Sequence, residues 1–336
     1  MDGTSEIRSG WLGHGAQSLC VIAGTEGAKL VTVVDIDEER ARNVGTELNV
    51  PWTLSLDEAL NKFPEIECVV VMTPSGLHAE VGCQAAEAGK HVITTKPMDV
   101  SVEACNRLIK TCERKGVHLM VDFQSRYVDN NVRLAHAVQH GWLGRPLLAE
   151  FRFKWWRSQA YYDERGGWRG TWKLDGGGSV ANQGVHGLDL LLWVMGTPSA
   201  VYAESVVMNH KIETEDLSLV IFDFPNGAKG AMTTTTTFPE ASPYYSFEVH
   251  GTEGGVLLDD ALGGVGRYFL KEGVQERMQE ITSPVKNVAE DAVRVIRRGA
   301  RPVIDGREGR RTVHMLEMIY KSAREGRKIP VTPITD

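Results

Sequence analysis

Short apolar runs alternate with amphipathic stretches through the first third of the chain. The apolar, β-branched runs have the length and character of buried parallel strands, and they cover residues 29–35, 68–72, 91–94 and 118–121. Helical periodicity lies between them, with glycine closing the second and third helices, at residues 38–48, 78–88 and 102–115. This alternation predicts an α/β fold that begins with a doubly wound parallel sheet, that is, a Rossmann domain over residues 1–125.

The pattern changes to longer β-like segments after a predicted helix at residues 133–140. Further strands are predicted at residues 147–153, 200–208, 217–224, 228–237, 245–250 and 255–258. Asn226-Gly227 is a hairpin signal, and closing helices are predicted at residues 285–298 and 309–325. Such a run of hairpins predicts an α+β domain over residues 126–336, with a large open, mostly antiparallel sheet.

Composition narrows the classes of function. The chain has 336 residues, 42% of them hydrophobic, and a net charge of −7, so we expect two cores and no nucleic-acid partner. The basic run 294–311 is broken by acids and is expected to be a solvated helix end and loop. No apolar run reaches the ~20 residues of a membrane span, and no signal-peptide pattern opens the chain, which predicts a cytoplasmic protein without a membrane partner. Five cysteines without Cys-x-x-Cys favour reduced thiols over disulfides or a metal site.

Candidate chemistry is concentrated where three glycines, Gly176–Gly178, precede an apolar helix. Glycine lets the backbone turn sharply or approach a ligand, and Asn182 is expected to cap the helix. His186 then lies on the first turn, one helical step from Asn182 and Asp189, where imidazole can exchange a proton with a bound hydroxyl. A capped helix with a hydrogen-bonded core histidine accounts for the same residues, so this segment alone leaves both interpretations open.

The first 35 residues carry an incomplete dinucleotide signal. A pyrophosphate-binding turn needs glycines before a helix N-terminus, and the candidates are Gly10, Gly13 and Gly15. Leu12 stands where the middle glycine of Gly-x-Gly-x-x-Gly is expected, and a shifted pattern, Gly13-His-Gly15, is the alternative. Asp35 ends the second strand, where an acid holds both ribose hydroxyls and repels a 2′-phosphate, which favours NAD over NADP. A helix-capping role for Asp35 is compatible with the same position.

Three ordered motifs resemble those of one oxidoreductase family. They are Thr73-Pro74-Ser-Gly-Leu-His78, residues 88–97 ending in Thr95-Lys96-Pro97, and Asn182-Gln-Gly-Val-His186. Together they resemble the Gfo/Idh/MocA family, and the resemblance continues through nearly the whole chain. It implies a Rossmann domain followed by an open-faced sheet domain, NAD(P)-dependent oxidation of a sugar or cyclitol carbon, and homodimers or homotetramers built through the sheets.

The resemblance also implies residue roles. Lys96 and His186 would serve the reacting hydroxyl, Asn182 would orient it, and Pro97, often cis in the family, would direct Lys96 into the cleft. The chemistry agrees, because a neutral imidazole suits the base and an ammonium stabilises the developing alkoxide while hydride leaves for nicotinamide. The predicted cofactor residues, for NAD with NADP disfavoured, are Gly10, Gly13, Gly15, Asp35, Thr73, Pro74, His78 and Lys96.

A segment rich in tryptophan and arginine, residues 155–172, precedes the glycines. Aromatic faces stack on saccharide CH surfaces, and Arg157 or Arg169 can hold a carboxylate or phosphate of a small sugar or sugar-acid substrate. A subunit contact or a buried loop would use similar residues. The predicted substrate residues are Arg126, Arg157, Tyr161, Tyr162, Arg169 and Asn182.

Two departures from the family pattern keep alternatives open. Thr95 stands where a glutamate normally precedes the lysine, which alters the charge balance at Lys96, and the glycine turn is incomplete. The leading hypothesis is an NAD-dependent sugar dehydrogenase. One alternative is an enzyme with tightly bound NAD that uses transient oxidation for epimerisation, elimination or glycoside cleavage. The other is a non-catalytic or cofactor-impaired sensor of a sugar or nucleotide.

Overall fold

The computed structural model describes residues 20–239, 243–259 and 266–334. After helical residues 20–24, the first part of the chain contains parallel strands. These strands are β1 (Val33–Val34), β2 (Trp52–Thr53), β3 (Cys68–Val71), β4 (His91–Thr95) and β5 (Leu119–Asp122). The helices that follow them in turn are α1 (Glu38–Glu47), α2 (Leu56–Lys62), α3 (His78–Glu87) and α4 (Val102–Lys115). Strand β1 pairs with β2, and β3, β4 and β5 pair in that order, all in parallel. The predicted Rossmann fold is confirmed.

The strand predicted over residues 29–35 is shorter than expected. Among the described residues, only Val33 and Val34 pair, in register with Trp52 and Thr53. Their partner strand is short because Pro51, which has no backbone N–H, precedes it, and because Ser55 follows it as the N-cap of α2. A two-residue partner limits the pairing of β1 with β2 to two residues.

In the part of the chain that the structure describes, the second sheet has eight strands, and the remaining helices follow or precede them in sequence. Its strands are β6 (Pro146–Lys154), β7 (Ala200–Val206), β8 (Leu217–Asp223), β9 (Lys229–Thr235), β10 (Tyr244–Gly251), β11 (Gly255–Asp259), β12 (Arg267–Phe269) and β13 (Ile329–Pro330). Their spatial order is β12-β11-β10-β6-β9-β8-β7-β13, with β6 and β9 parallel and the other pairs antiparallel. The helices are α5 (Asp129–Gln139), α6 (Gln159–Asp163), α7 (Val185–Met195), α8 (Val274–Gln279), α9 (Val288–Arg298) and α10 (Gly306–Glu325). The large, mostly antiparallel sheet is as predicted.

Helix α7 lies on β6, and a glycine allows the close contact. A Cβ at Gly187 would lie 2.0 Å from Cζ of Phe151 on β6, so any larger residue would push the helix off the sheet. Phe151 is itself fully buried. The predicted placement of the His186 helix on one face of the sheet is confirmed.

The basic run near the C-terminus is more ordered than expected. Arg310 is only 8% exposed and donates to Oδ1 of Asn106 at 2.7 Å, while Arg311 pairs with Glu308 at 2.8 Å. Both arginines lie inside α10, so the prediction of a solvated loop is wrong at these positions. Within the described ranges, no helix is long and apolar enough to cross a membrane.

Candidate active site

Residues that follow three parallel strands converge with the segment before α7. Thr73 comes shortly after β3, Lys96 follows β4 directly, and Asp122 ends β5. The carboxyl edge of such a sheet is where α/β proteins bind ligands, because the strand ends and their loops meet there. Asn182 approaches this edge from the segment before α7, as its contact with Lys96 shows.

Lys96 links the two domains at the site. Its Nζ donates to the carbonyl oxygen of Asn182 at 2.5 Å, and the Lys96-Pro97 peptide is cis. Burial lowers the pKa of Lys96 to about 8, with Arg157 lowering it further and Asp175 and Asp122 opposing the shift. The ammonium therefore titrates close to neutral pH.

Two buried carboxylates lie near this ammonium. Asp175 accepts from the backbone N–H of Gly170 and from Nδ2 of Asn182, both at 2.8 Å. Burial raises the pKa of Asp175 and of Asp122 to about 6, although hydrogen bonds and the charge of Lys96 oppose this. Oδ1 of Asp122 is buried without a hydrogen-bond partner in the described part of the chain. The site thus holds an ammonium and two carboxylates that all change charge between about pH 6 and 8.

The segment Ser179–Gly184 is a turn of π-helix, so the prediction that Asn182 caps the helix is wrong. Gly184 stands at the start of α7, and Asn182 lies inside the preceding turn, where its side chain binds Asp175. π-Helical turns are rare and occur mostly at functional sites. The irregular backbone turns the Asn182 carbonyl toward Lys96.

Glu215 holds this turn in place. Its carboxylate accepts from the backbone N–H groups of Gly178 and Val180 at 2.8 and 2.9 Å, and from the Tyr320 hydroxyl at 3.2 Å. A Cβ at Gly178 would lie 1.8 Å from the Glu215 carbonyl oxygen, so glycine is required there. Burial raises the pKa of Glu215 to about 7, against the backbone N–H groups, which lower it.

His186 lies on the first turn of α7, as predicted, and is half-buried. Its ring meets the ring of Phe123 edge-on, with centroids 6.3 Å apart. Phe123 directly follows Asp122, so His186 is placed against the end of β5. His186 thus lies beside the residue that follows Asp122, while Lys96 and Asn182 contact each other at the end of β4.

The predicted cofactor residues divide into three groups. Thr73 and Pro74 are half-buried at the sheet edge, and Oγ1 of Thr73 is a buried atom with no hydrogen-bond partner in the described ranges. Asp35 follows β1 and pairs with Nε of Arg40 at 3.0 Å, its side chain 31% exposed. The three glycines, Gly10, Gly13 and Gly15, lie outside the described residues.

His78 has a different role from the predicted one. It is 1% exposed, and its ring nitrogens lie 2.8 Å from the Pro97 carbonyl oxygen and 2.9 Å from that of Thr73. Because the ring is enclosed, it holds together the loops after β3 and β4. The prediction of direct cofactor contact by His78 is corrected to a positioning role.

The tryptophan-rich segment brings arginine and tyrosine beside the π-turn. The Arg157 guanidinium carbon lies 3.5 Å from the Trp155 ring centre and 4.3 Å from that of Tyr161. The Tyr161 hydroxyl accepts from Nε2 of Gln183 at 3.2 Å, next to Asn182. Arg169 lies 4.4 Å from the Tyr161 ring and donates to the Tyr161 carbonyl oxygen at 3.1 Å.

Tyr162 and Arg126 are buried, which contradicts their assignment to the substrate. Tyr162 is 4% exposed and its hydroxyl bonds Oγ1 of Thr236 at 2.8 Å. Arg126 is 3% exposed, and its Nε and Nη2 each donate to Asp189 at 2.7 Å while Nη1 reaches Glu308 at 2.8 Å. Because these three nitrogens bind Asp189 on α7 and Glu308 on α10, Arg126 joins both helices to the segment after β5. Arg126 is therefore a structural residue.

The sequence interpretation missed Asp122, Asp175 and Gln183. Asp122 ends a strand of the parallel sheet, which is a recognisable position for a functional side chain. Asp175 directly precedes the three glycines, and Gln183 lies within the Asn182–His186 motif. Their positions in the sequence could have marked them as candidates, but which residues they contact depends on the tertiary fold.

Comparisons with known protein families identify both halves of the chain. Residues 10–123 match a model described as an oxidoreductase family with an NAD-binding Rossmann fold. Residues 132–257 match the model of the GFO/IDH/MocA C-terminal domain. The first model spans the glycines before residue 20 as well as the sheet-edge residues.

Individual relatives are dehydrogenases of sugars. The D-apiose dehydrogenase of Paraburkholderia graminis is 24% identical over 324 residues, covering 90% of this chain and 83% of that protein. The D-xylose 1-dehydrogenase (NADP(+)) 2 of Haloferax volcanii is 25% identical over 331 residues, covering 94% and 96%. Among solved structures, the WlbA dehydrogenase of Chromobacterium violaceum, in complex with NADH and UDP-GlcNAcA, has a TM-score of 0.85 at 30% identity, covering 96% and 92% of the two chains.

Proposed function

This chain belongs to the Gfo/Idh/MocA oxidoreductase family, and on that premise we propose that it oxidises a hydroxyl carbon of a small sugar or sugar acid, with NAD as hydride acceptor. The observation that carries the proposal is the contact of Lys96 with the Asn182 backbone, one helical step before His186. A cation and an imidazole then face one reacting hydroxyl at the edge of a nucleotide-binding sheet. The domain boundary near residue 125 stays part of the proposal.

The residues at the sheet edge fit a dinucleotide. Oγ1 of Thr73 is buried and has no hydrogen-bond partner among the described residues, so it is a hydrogen-bonding atom that a bound group would satisfy. Asp35, one-third exposed at the end of β1, can accept from ribose hydroxyls. When bound, NAD accepts a hydride at its nicotinamide ring. We assign its binding to Asp35, Thr73, Pro74 and Lys96, and to Gly10, Gly13 and Gly15 in the turn that the family model covers.

We propose NAD over NADP on grounds of charge. Arg40 pairs with both Asp35 and Asp37, at 3.0 and 3.2 Å. Two carboxylates against one guanidinium leave this position negative, which repels a 2′-phosphate. The NADP(+) specificity named for the xylose dehydrogenase shows that relatives of this chain differ in this respect.

His186 and Lys96 divide the work on the substrate. The neutral imidazole accepts the hydroxyl proton, and the ammonium stabilises the negative charge that develops on that oxygen. Asp175 fixes the Asn182 side chain through its 2.8 Å hydrogen bond, so that the Asn182 amide and carbonyl are held in orientation beside the reacting group. Pre-organised groups in a buried site need little rearrangement during the reaction.

The substrate lies against the aromatic segment in this proposal. Tyr161 and Arg157 form a wall beside Gln183 and the π-turn, and aromatic faces of this kind stack on sugar CH groups. A bound sugar acid in the WlbA structure supports this class of ligand. Arg169 helps to fix Tyr161, because its guanidinium lies over the Tyr161 ring and donates to the Tyr161 carbonyl oxygen.

A homodimer or homotetramer is proposed from an exposed apolar row on the large sheet. Along β8, Val220 and Phe222 are buried, whereas Leu219 and Ile221 are 48% and 51% exposed. Alternation along a strand normally puts polar residues on a solvated face. The face of the sheet that exposes Leu219 and Ile221 is therefore suited to pack against another copy of the chain.

Calorimetric titration with NADH and NADPH tests the proposal, followed by a sugar screen for NADH formation. We expect saturable binding of NADH at least about tenfold tighter than that of NADPH. Asp35→Ala should remove this preference because the repelling carboxylate is gone, whereas Glu39→Gln, on the exposed start of α1, should keep it. Absence of NADH binding, together with no turnover of any sugar, would refute the proposed function and favour a sensor.

A further inference from the structure

Arg157 holds two buried polar atoms that no described residue satisfies. Its Nε and Nη2 have no hydrogen-bond partner within residues 20–239, 243–259 and 266–334. The guanidinium instead lies over two rings, 3.5 Å from the centre of Trp155 and 4.3 Å from that of Tyr161. Stacking covers the faces of a planar guanidinium but leaves the N–H groups on its edge to bond in the plane.

Buried N–H groups of a cation are costly to leave without acceptors. Removal of a charged group from water costs free energy that only an acceptor or an opposite charge restores. Burial lowers the pKa of Arg157, and the nearby charge of Arg169 adds to this effect. The site is therefore built for an acceptor that the described chain does not supply.

A continuous set of contacts joins Arg157 to the reacting end of the site. The Tyr161 ring lies on Arg157, the Tyr161 hydroxyl accepts from Gln183 at 3.2 Å, and Gln183 reaches Oδ1 of Asn182 at 3.4 Å. The charge of Arg157 is also felt by Lys96, whose pKa it lowers. Arg157 therefore belongs to the same cluster of contacting residues as the groups assigned to catalysis.

Arg169 does not offer the same opportunity. Its Nη1 donates to the Tyr161 carbonyl oxygen at 3.1 Å and lies 3.9 Å from the carboxylate of Glu164. The Arg169 guanidinium thus has partners within the protein. Of the two arginines that the sequence analysis singled out, Arg157 is the better one to bind a ligand.

We propose that Arg157 binds a carboxylate of the substrate through Nε and Nη2, so that the enzyme acts on a sugar acid in preference to the neutral sugar with the same ring. This inference rests on the proposed function, because it names the substrate class of the same site. A carboxylate matches the two neighbouring N–H groups of a guanidinium edge in a bidentate pair, which is stronger and more selective than a hydrogen bond to a neutral hydroxyl. Trp155 and Tyr161 fix the plane in which that pair forms.

Binding of three sugars that differ only at carbon 6 tests the proposal. The probes are D-glucose, D-glucuronate and glucose 6-phosphate, titrated by calorimetry into the NADH-saturated protein, with D-galactose and D-galacturonate as a second ring series. We expect at least one acid to bind about tenfold or more tightly than its neutral partner, as one charge-assisted pair allows. Arg157→Gln should abolish this ratio, Arg157→Lys should keep part of it, and the matched control Arg165→Gln, at an exposed arginine of the same segment, should leave it intact.

The outcomes separate this inference from the proposed function. Equal binding of acid and neutral sugar, binding of neither, or a preference that survives in Arg157→Gln with its thermal unfolding unchanged, would overturn the inference. A preference for the phosphate over the carboxylate would overturn the assignment of the anion. If NADH does not bind, the proposed function fails, whereas Arg157-dependent binding of the acid to the protein alone would still uphold this site.

Discussion

Lys96 shows how the position of one residue sets its chemistry. It follows a buried parallel strand, so its ammonium is removed from water, and burial is the largest influence that lowers its pKa to about 8. Asp175 and Asp122 oppose the shift, which keeps the ammonium the dominant form at neutral pH. A lysine in this state is charged when the substrate binds and is close to its titration range.

The pH dependence of sugar oxidation tests the role of Lys96. If the ammonium stabilises the alkoxide, kcat/KM must fall as the pH rises through about 8, approaching a tenfold loss per pH unit, because deprotonation removes the active form. Lys96→Arg keeps a positive charge throughout this range and should lose the alkaline decline, even if its rate is lower. The measurement is the initial rate of NADH formation from about pH 6.5 to about 9.5.

A rate that increases through pH 8 would reverse the assignment. Neutral Lys96 would then be the proton acceptor, and His186 would have an orienting role. A flat profile in both proteins would remove Lys96 from the proton chemistry altogether.

At the scale of elements, the geometry of the site depends on how the π-turn and α7 pack against the rest of the protein. Glu215 fixes the turn through the backbone of Gly178 and Val180, and Gly187 lets α7 lie directly on Phe151. Both contacts require glycine, and both lie within two turns of His186. Backbone packing therefore controls where the imidazole stands.

Gly187→Ala tests this control. The new methyl group would meet Phe151 at 2.0 Å, so we expect a loss of about 1–3 kcal/mol in the free energy of unfolding, typical of overpacking. Displacement of His186 by about 1 Å should also lower kcat by tenfold or more. Denaturant unfolding and steady-state kinetics measure the two effects.

Two further variants control the Gly187 experiment. The double variant with Phe151→Leu should recover part of both losses, because it removes the ring that the methyl group meets. Gly24→Ala, at a helical glycine with open space around it, should change neither. An unaltered kcat in Gly187→Ala would show that the seating of α7 does not determine the position of His186.

Elements could be predicted from the sequence where local signals were strong. Helix α4 has the predicted bounds because Ser101 caps it and Gly116 ends it. Helix α2 was missed, since its seven residues are too short for clear periodicity, although Ser55 accepts from the Glu58 N–H and the Glu58 carboxylate accepts from the Leu54 N–H. The π-turn at Asn182 was not predictable, because it is held by Glu215, which lies 37 and 35 residues from the two backbone N–H groups that it accepts from.

For the molecule as a whole, the order of the motifs indicated the family, while the charges around the candidate site residues come from the fold. Lys96 and Asn182, to which the motifs pointed, are in contact, and His186 lies on the first turn of α7; the catalytic roles of the three residues stay a prediction. The neighbours Asp122 and Asp175 were not, because strand-end and loop residues acquire partners only when the domains pack. Arg126 was misassigned for the same reason, since its partners Asp189 and Glu308 are distant in sequence.

In the proposed mechanism, His186 accepts the proton during sugar oxidation. A comparison of NADH formation and sugar binding in wild-type protein and His186→Ala, with the most active sugar of the screen, tests this role. We expect kcat to fall by about 10²–10⁴-fold, the range of a general base, while the Kd of the sugar changes little and the exposed-histidine control His140→Ala retains both. Turnover by His186→Ala at the wild-type rate would show that His186 is not the base.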